Sequence, residues 1–356
     1  MAQPDQSTST TSSDLVTRYK ALKAEEPRLF ARDAAHRLGV SEGELIAARC
    51  GSDVVRLDDR WPELITAMPT VGRIMSLTRN DWAVHERKGS FETVRTGPHG
   101  GIVLGPDIDL RIRFDVWGSG FEVTDQTAHG ERRSFQFFDK TGTAVQKIYQ
   151  QSESDKTAWD KIVDSHRSDD QTPGLTVLPA ILAEPEQPAS PPDIAALQAD
   201  WRAMTDVHQF FGLLRKHAVD RVDCFRLVGT EFAVELNNSS FPDAMREAAK
   251  QNIPVMIFVT NPGMVQVHTG PVRNIKQVGD WFNVLDPDFN LHLLPEGIAS
   301  TWLVRKPTRD GTVTSIETFD AENRQITWMF GERGEGNEER GDWRRLAGSF
   351  GQKTVA

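Results

Sequence analysis

The chain has 356 residues, 38% of them hydrophobic and 26% charged, a balance ordinary for a water-soluble globular protein with room for two cores. Against 41 basic side chains stand 51 acidic ones, a formal net charge of -10, which argues against nucleic acid or an anionic membrane as a partner for the surface as a whole. No window approaches the roughly 20 apolar residues of a membrane span, and the two cysteines, Cys50 and Cys224, have neither CxxC nor metal-ligand spacing. The opening MAQPDQSTSTTSSD lacks a basic and an apolar region and reads as a polar disordered tail over residues 1–13. These features point to a cytoplasmic protein.

Helical patterns come first, at Leu15 to Leu22 and Phe30 to Leu38, followed by a capping box at Ser41 and Glu44. From about Gly72 the texture changes to short alternating runs such as FQFFDKTGTAVQKIY, which read as antiparallel strands. The same order then returns. Leu110 matches Leu291, Phe138-Asp139 matches Phe319-Asp320, and Asn80, Gly89 and Tyr149 match Asn261, Gly270 and Phe330, all at an offset of 181 residues. The chain is thus a tandem duplication, with repeats at 14–167 and 194–356. Residues 168–193 between them hold six prolines from Thr172 to Asp193 and read as a linker. Each half is α+β: a helical segment, then an antiparallel meander.

In the second half a helix is expected around Ile194–Val219. Apolar residues at 201, 204, 207, 211 and 214 form one stripe, with His208 at its edge. A histidine there is either a core-margin residue satisfied by a neighbour or a metal ligand. At the repeat offset its counterpart is Pro27, so only one half offers the imidazole.

TDVHQFF, DLRI, RKPT followed by Asp310-Gly311, and FGERGEG together resemble the HemS/HmuS family of bacterial haem-handling proteins, also called hemin-degrading factors. RDAAHRLGVSEGEL, TRNDWAVHE, VELNNSS and VMIFVTNPGMVQVHTG support the resemblance, which runs from Leu15 to Arg345. It implies a duplicated α+β fold with haem (heme b) in a cleft between the halves. His208 of DVHQFF would be the proximal iron ligand. Arg111 of DLRI would lie on the distal side, acting through water; a guanidinium stays protonated and donates without competing as a ligand. Lys306, Arg221 and Arg333 would meet the propionates. Phe258 and Phe330 would contact the macrocycle, with Gln266 and Trp328 nearby. Two positions depart from the pattern: Arg113 stands where relatives can carry a distal phenylalanine, and Phe330 where relatives have a tyrosine.

Three functions compete. One is reductant-dependent opening of haem with release of iron, Arg111 being the catalytic side chain. Another is a haem carrier that receives haem from an inner-membrane importer and delivers it to a separate haem oxygenase. The third is a helix-turn-helix regulator built on RDAAHRLGVSEGELIAAR. There Arg28, Arg32, Arg37 and Arg49 are matched by acids at 25, 26, 33, 42 and 44, so small helical packing is the better account.

Overall fold

Helices in both halves begin at side chains that satisfy their first free amides. In the computed structural model, which describes residues 11–128, 130–179, 192–334 and 336–354, Thr11, Asp155, Asp193 and Asp220 each accept from a backbone N–H of the first turn. Ser41 and Glu44 form the expected capping box. Such caps contribute about 1 kcal/mol each.

The first half contains α1 (Ser12–Glu25), α2 (Ala31–Leu38), α3 (Glu42–Ala47), β1 (Val54–Arg56) and α4 (Trp61–Ala67). The strands β2 (Ile74–Arg79), β3 (Ala83–Gly89), β4 (Thr93–Thr96), β5 (Gly100–Leu104) and β6 (Asp109–Arg113) follow. β7 (Trp117–Thr127), β8 (Gly130–Asp139), β9 (Ala144–Gln150) and α5 (Lys156–His166) complete it. The second half repeats the series with α6 (Ile194–Arg202), α7 (Gln209–His217), α8 (Arg221–Val228), β10 (Ala233–Leu236) and α9 (Ser240–Lys250). Then come β11 (Val255–Asn261), β12 (Met264–Gly270), β13 (Ile275–Val278), β14 (Trp281–Leu285) and β15 (Phe289–Leu293). β16 (Ser300–Thr308), β17 (Gly311–Phe319), β18 (Gln325–Gly331) and α10 (Gly341–Thr354) end the chain.

The halves are not separate meanders. Two nine-stranded antiparallel sheets run β1-β7-β8-β9-β2-β3-β15-β14-β13 and β10-β16-β17-β18-β11-β12-β6-β5-β4, so each half gives three strands to the other's sheet. The junctions are β3 with β15 and β12 with β6. The sheets pack inner face to inner face. One core joins Phe282, Val284 and Leu291 to Val255, Ile257 and Ile316, under α9 and α10. The other joins Leu110 and Ile112 to Phe135, Phe137 and Ile148, under α4 and α5. On the outer faces, α2 and α3 lie toward one end of the first sheet and α6–α8 toward one end of the second.

Asn80 and Asn261 mark the pseudo-twofold relation. Asn80 Nδ2 donates to the carbonyls of Thr260 and Ile326, and Asn261 Nδ2 to those of Arg79 and Val145. Each Oδ1 accepts amides of its own hairpin turn. An amide with both a donor and an acceptor end is needed at each position.

Three expectations change. The helix expected over Ile194–Val219 is two helices broken between Arg202 and Gln209. The N-terminal part of the linker is a strap on the first half: Gly174 N–H donates to the Ala47 carbonyl, Leu178 N–H to that of Lys140, and Arg56 to the carbonyls of Thr172 and Gly174. Residues 180–191, with three of its six prolines, and residues 1–10 of the expected tail lie outside the described residues. Finally, α2 and α7 correspond start to start, so the counterpart of His208 is Phe30, the residue before α2, rather than Pro27.

A polar seam crosses the inner faces. Gln266 accepts from Ser76 and Thr78 and donates to the Ser76 carbonyl, while Gln146 Nε2 donates to Ser76 Oγ. Beside it, His85 and His268 both pack on the Phe289 ring, at 5.0 and 3.7 Å between ring centres. Both are buried, and no imidazole nitrogen of either has a hydrogen-bond partner among the described residues. Burial, with Arg87 close by, lowers both pKa values, that of His268 to about 3. Unfolded histidines take up protons near pH 6.5 and these do not, so the folded state loses stability as pH falls below that value. Urea unfolding midpoints are expected to drop between pH 7 and pH 5, and the double replacement His85→Leu with His268→Leu to flatten that dependence. An unchanged slope in the double variant would show that the pair does not set it.

Candidate functional site

Strand parity sorts the second sheet into two faces. Phe258 is paired with Trp328 and Val267, and Met256 with Phe330, so these side chains stand together on the outer face. Trp328 stacks on Phe258 with ring centres 5.0 Å apart and planes 13° from parallel, and Phe330 meets Phe258 edge-on at 5.4 Å. All three rings are half-buried. They form an aromatic shelf that no helix among the described residues fully covers.

The edge of the shelf is set by a buried charge cluster. Glu317 on β17 is fully buried and accepts from Lys306 Nζ at 2.9 Å, Arg221 Nε at 2.8 Å and Ser315 Oγ at 2.7 Å. Burial alone would raise its pKa, but the two cations hold the carboxyl down at about 2. Pinned there, the Arg221 guanidinium lies over three rings: Phe210 at 5.1 Å, Trp328 at 5.8 Å and Phe211 at 6.0 Å. It thereby ties α7 to the shelf.

His208 immediately precedes α7, and its side chain is 89% exposed. Asp206 fixes it. One carboxylate oxygen accepts both the His208 backbone N–H at 2.8 Å and Nδ1 at 2.7 Å. Those contacts, the backbone N–H first, lower the Asp206 pKa. Gln209 Oε1 reciprocates by accepting the amides of Thr205 and Asp206. With Nδ1 occupied, Nε2 is the nitrogen left to bind. A carboxylate behind the imidazole makes that nitrogen a better metal donor. Phe211, three residues on, is 62% exposed on the same side of the helix.

Strand exchange brings in the last component. Arg111 of β6 pairs in register with Val265, whose alternation with Val267 places it on the same outer face as Phe258. Its guanidinium engages Asp109 and the Leu110 carbonyl and is 46% exposed. Arg113 shares that face and lies 3.4 Å from Asp115.

The structure therefore assembles Arg111, Phe258, Trp328 and Phe330 on one face, with Arg221 and His208 at its helical border. Arg333, two residues beyond β18, is half-buried and has no ion pair or hydrogen bond among the described residues. It is the expected cation free to meet a carboxylate. Two expected contacts are corrected. Gln266 belongs to the opposite face, fully buried in the seam with Ser76 and Thr78. Lys306 is not a rim cation: it is buried against Glu317, with Phe210 and Phe225 at 4.7 and 5.8 Å. Arg221 is likewise committed to Glu317. Asp206 and Glu317 were not singled out in the sequence, although Asp206 stands two residues before His208, where an aspartate typically accepts a following amide. As for the regulator reading, Arg32, Arg37 and Arg49 are paired with Asp81, Glu26 and Asp53. No helix among the described residues is long and apolar enough to cross a membrane.

These features define a duplicated, strand-exchanged α+β protein with an aromatic shelf and, on the helix tied to it by Arg221, an oriented histidine. The chain belongs to the haemin-degrading HemS/ChuX domain family, whose model matches twice, at residues 39–166 and 218–350. It is 38% identical over 343 residues to a hemin transport protein, HmuS, of Yersinia pestis, covering 96% of this chain and 99% of that one. Among solved structures it is similar to the haem-binding protein PhuS of Pseudomonas aeruginosa in its holo form, at 45% identity and a TM-score of 0.90, covering 95% of this chain and 99% of that one. It is also similar to the haem-degrading enzyme ChuS of Escherichia coli O157:H7, at 37% identity and 0.88 with the same coverage.

Removing the buried anion isolates its role. Glu317→Gln leaves Lys306 and Arg221 without a counter-charge, at an expected cost of about 3–5 kcal/mol in chemical unfolding. A loss below about 1 kcal/mol would mean that the cluster does not hold α8 to the sheet.

Proposed function

We propose that this chain binds one haem on the aromatic shelf, with His208 Nε2 as the protein ligand to iron, and serves cytoplasmic haem uptake and iron acquisition. The observation that carries this reading is the Asp206-oriented imidazole, exposed at the border of three clustered aromatic rings. A flat apolar macrocycle suits the shelf, and a single neutral imidazole suits its iron. Arg333 would meet a propionate, with Arg221 acting mainly through the position it gives Trp328 and Phe211.

We further propose reductant-dependent degradation of the bound haem, for which Arg111 is the side chain to test. Haem iron, when bound, supplies the oxygen chemistry by which a tetrapyrrole can be opened. Arg111 contributes a permanently charged donor on the face that the shelf shares. Arg113 adds a second cation where an apolar wall was expected. Delivery to a separate oxygenase by a carrier is the other outcome.

His208→Ala is expected to weaken hemin binding at least about tenfold, roughly 1.4 kcal/mol, or to shift the Soret band. His292→Ala, whose ring is bonded to Asn283 on the other sheet, is expected to change it less than about twofold. Equal effects would reject the ligand assignment. For degradation, the hemin complex given an electron donor and oxygen, with catalase present, is expected to lose its Soret band and release iron and a linear tetrapyrrole, and Arg111→Ala to slow that loss. Decay that disappears with catalase would favour the carrier.

A further inference from the structure

A cavity of about 570 Å3 lies where the α2–α3 corner and the turns β2–β3 and β8–β9 of the first half meet the turns β11–β12 and β17–β18 of the second. That volume falls in the range of small-molecule sites. The cavity borders the sheet face corresponding to the aromatic shelf, and there the residues have changed character. Leu77, Lys147 and Tyr149 stand at the repeat positions of Phe258, Trp328 and Phe330. That face lacks the stacked rings of the shelf, and the cavity beside it carries charged side chains, among them Arg32, Arg79, Asp81 and Arg324.

The charges around the cavity leave one side chain unanswered. Asp81 is paired with Arg32 at 2.6 Å and with Arg324 at 3.5 Å, and Glu42 with Lys147. Asp139 and Asp320 accept amides of their own hairpin turns, Asp320 also engaging Arg324. Arg79, at the end of β2, is different. Its guanidinium makes one contact with the Asn80 carbonyl at 3.3 Å and no ion pair among the described residues. Burial, with Arg32 nearby, depresses its pKa to about 10, and the more distant carboxylates of Glu42, Asp33 and Asp81 offset this only in part. A guanidinium desolvated to that degree is stabilised by an anion, and the cavity gives an anion access to it.

We propose that this cavity is a second ligand site, distinct from the aromatic cleft, which holds the carboxylate or phosphate group of a small polar molecule on Arg79. The repeat counterpart of Arg79 is Thr260, so the second half has no such cation. The cation is supplied by the first half alone, although turns of both halves line the cavity.

The test uses the full chain at low ionic strength, titrated calorimetrically with succinate and with inorganic phosphate. Saturable one-to-one binding of either supports the proposal, and which of the two binds more tightly tells a carboxylate ligand from a phosphate one. Arg79→Gln is expected to weaken that binding at least tenfold and to leave hemin titration unchanged, with Arg79→Lys intermediate. Because Arg79→Gln removes a half-buried charge that has no ion pair among the described residues, the unfolding midpoint of the ligand-free protein is expected to stay level or rise. No saturable binding of either anion would overturn the site. So would binding that survives Arg79→Gln, or a midpoint lowered by several degrees, which would show that the guanidinium is already satisfied within the protein.

Discussion

The pairing of β12 with β6 is the contact on which the cleft depends. Through it, a strand from the first half extends the second half's sheet beyond β12 and carries Arg111 onto the face that holds Phe258. The reciprocal pairing of β3 with β15 completes a closed exchange. Antiparallel pairing fixes parity absolutely, since a slip of one residue would turn every side chain of β6 to the opposite face. Leu110 and Ile112, both buried in the inter-sheet core, hold that parity, and Arg111 faces outward because they face inward. Position at the cleft is thus secured by hydrophobic burial elsewhere on the same strand.

Much of this plan is legible in the residues. The 181-residue offset reappears as β2 with β11, β3 with β12 and β9 with β18, and the capping box at Ser41 and Glu44 forms as read. The exchange of strands is not legible, because DLRIR alternates in the same way whichever sheet edge receives it. Nor is the burial of Lys306: its partner Glu317 is eleven residues away and shares a face with it only through the β16–β17 hairpin, where Lys306 pairs with Val313 and Glu317 with Trp302. Gln266 lies in the inner seam and not beside Trp328, because a place on the same meander does not tell which face of the sheet a side chain takes. The helix over Ile194–Val219 failed for a local reason. Apolar spacing continued across Thr205 and Asp206, but the Asp206 carboxylate and the Gln209 amide capture nearby backbone amides and so start a new helix.

That break has a consequence for chemistry. Within a continuous helix, His208 would be one more side chain on a packed stripe. At a helix start it is exposed, and the aspartate that starts the helix also fixes its ring. The same carboxylate holds the backbone amide at the helix start and orients the imidazole.

Duplication followed by divergence explains the contrast between the two outer faces. One carries clustered aromatic rings and borders an oriented imidazole; the other carries lysine, tyrosine and an arginine with no ion pair among the described residues. The measurement that bears most directly on this division of labour is anomalous diffraction at the iron edge from crystals of the hemin complex. The account predicts one iron peak, within bonding distance of His208 Nε2 and beside Phe258 and Trp328. An iron held against the Lys147 and Tyr149 face instead, or equal peaks on both faces, would contradict it.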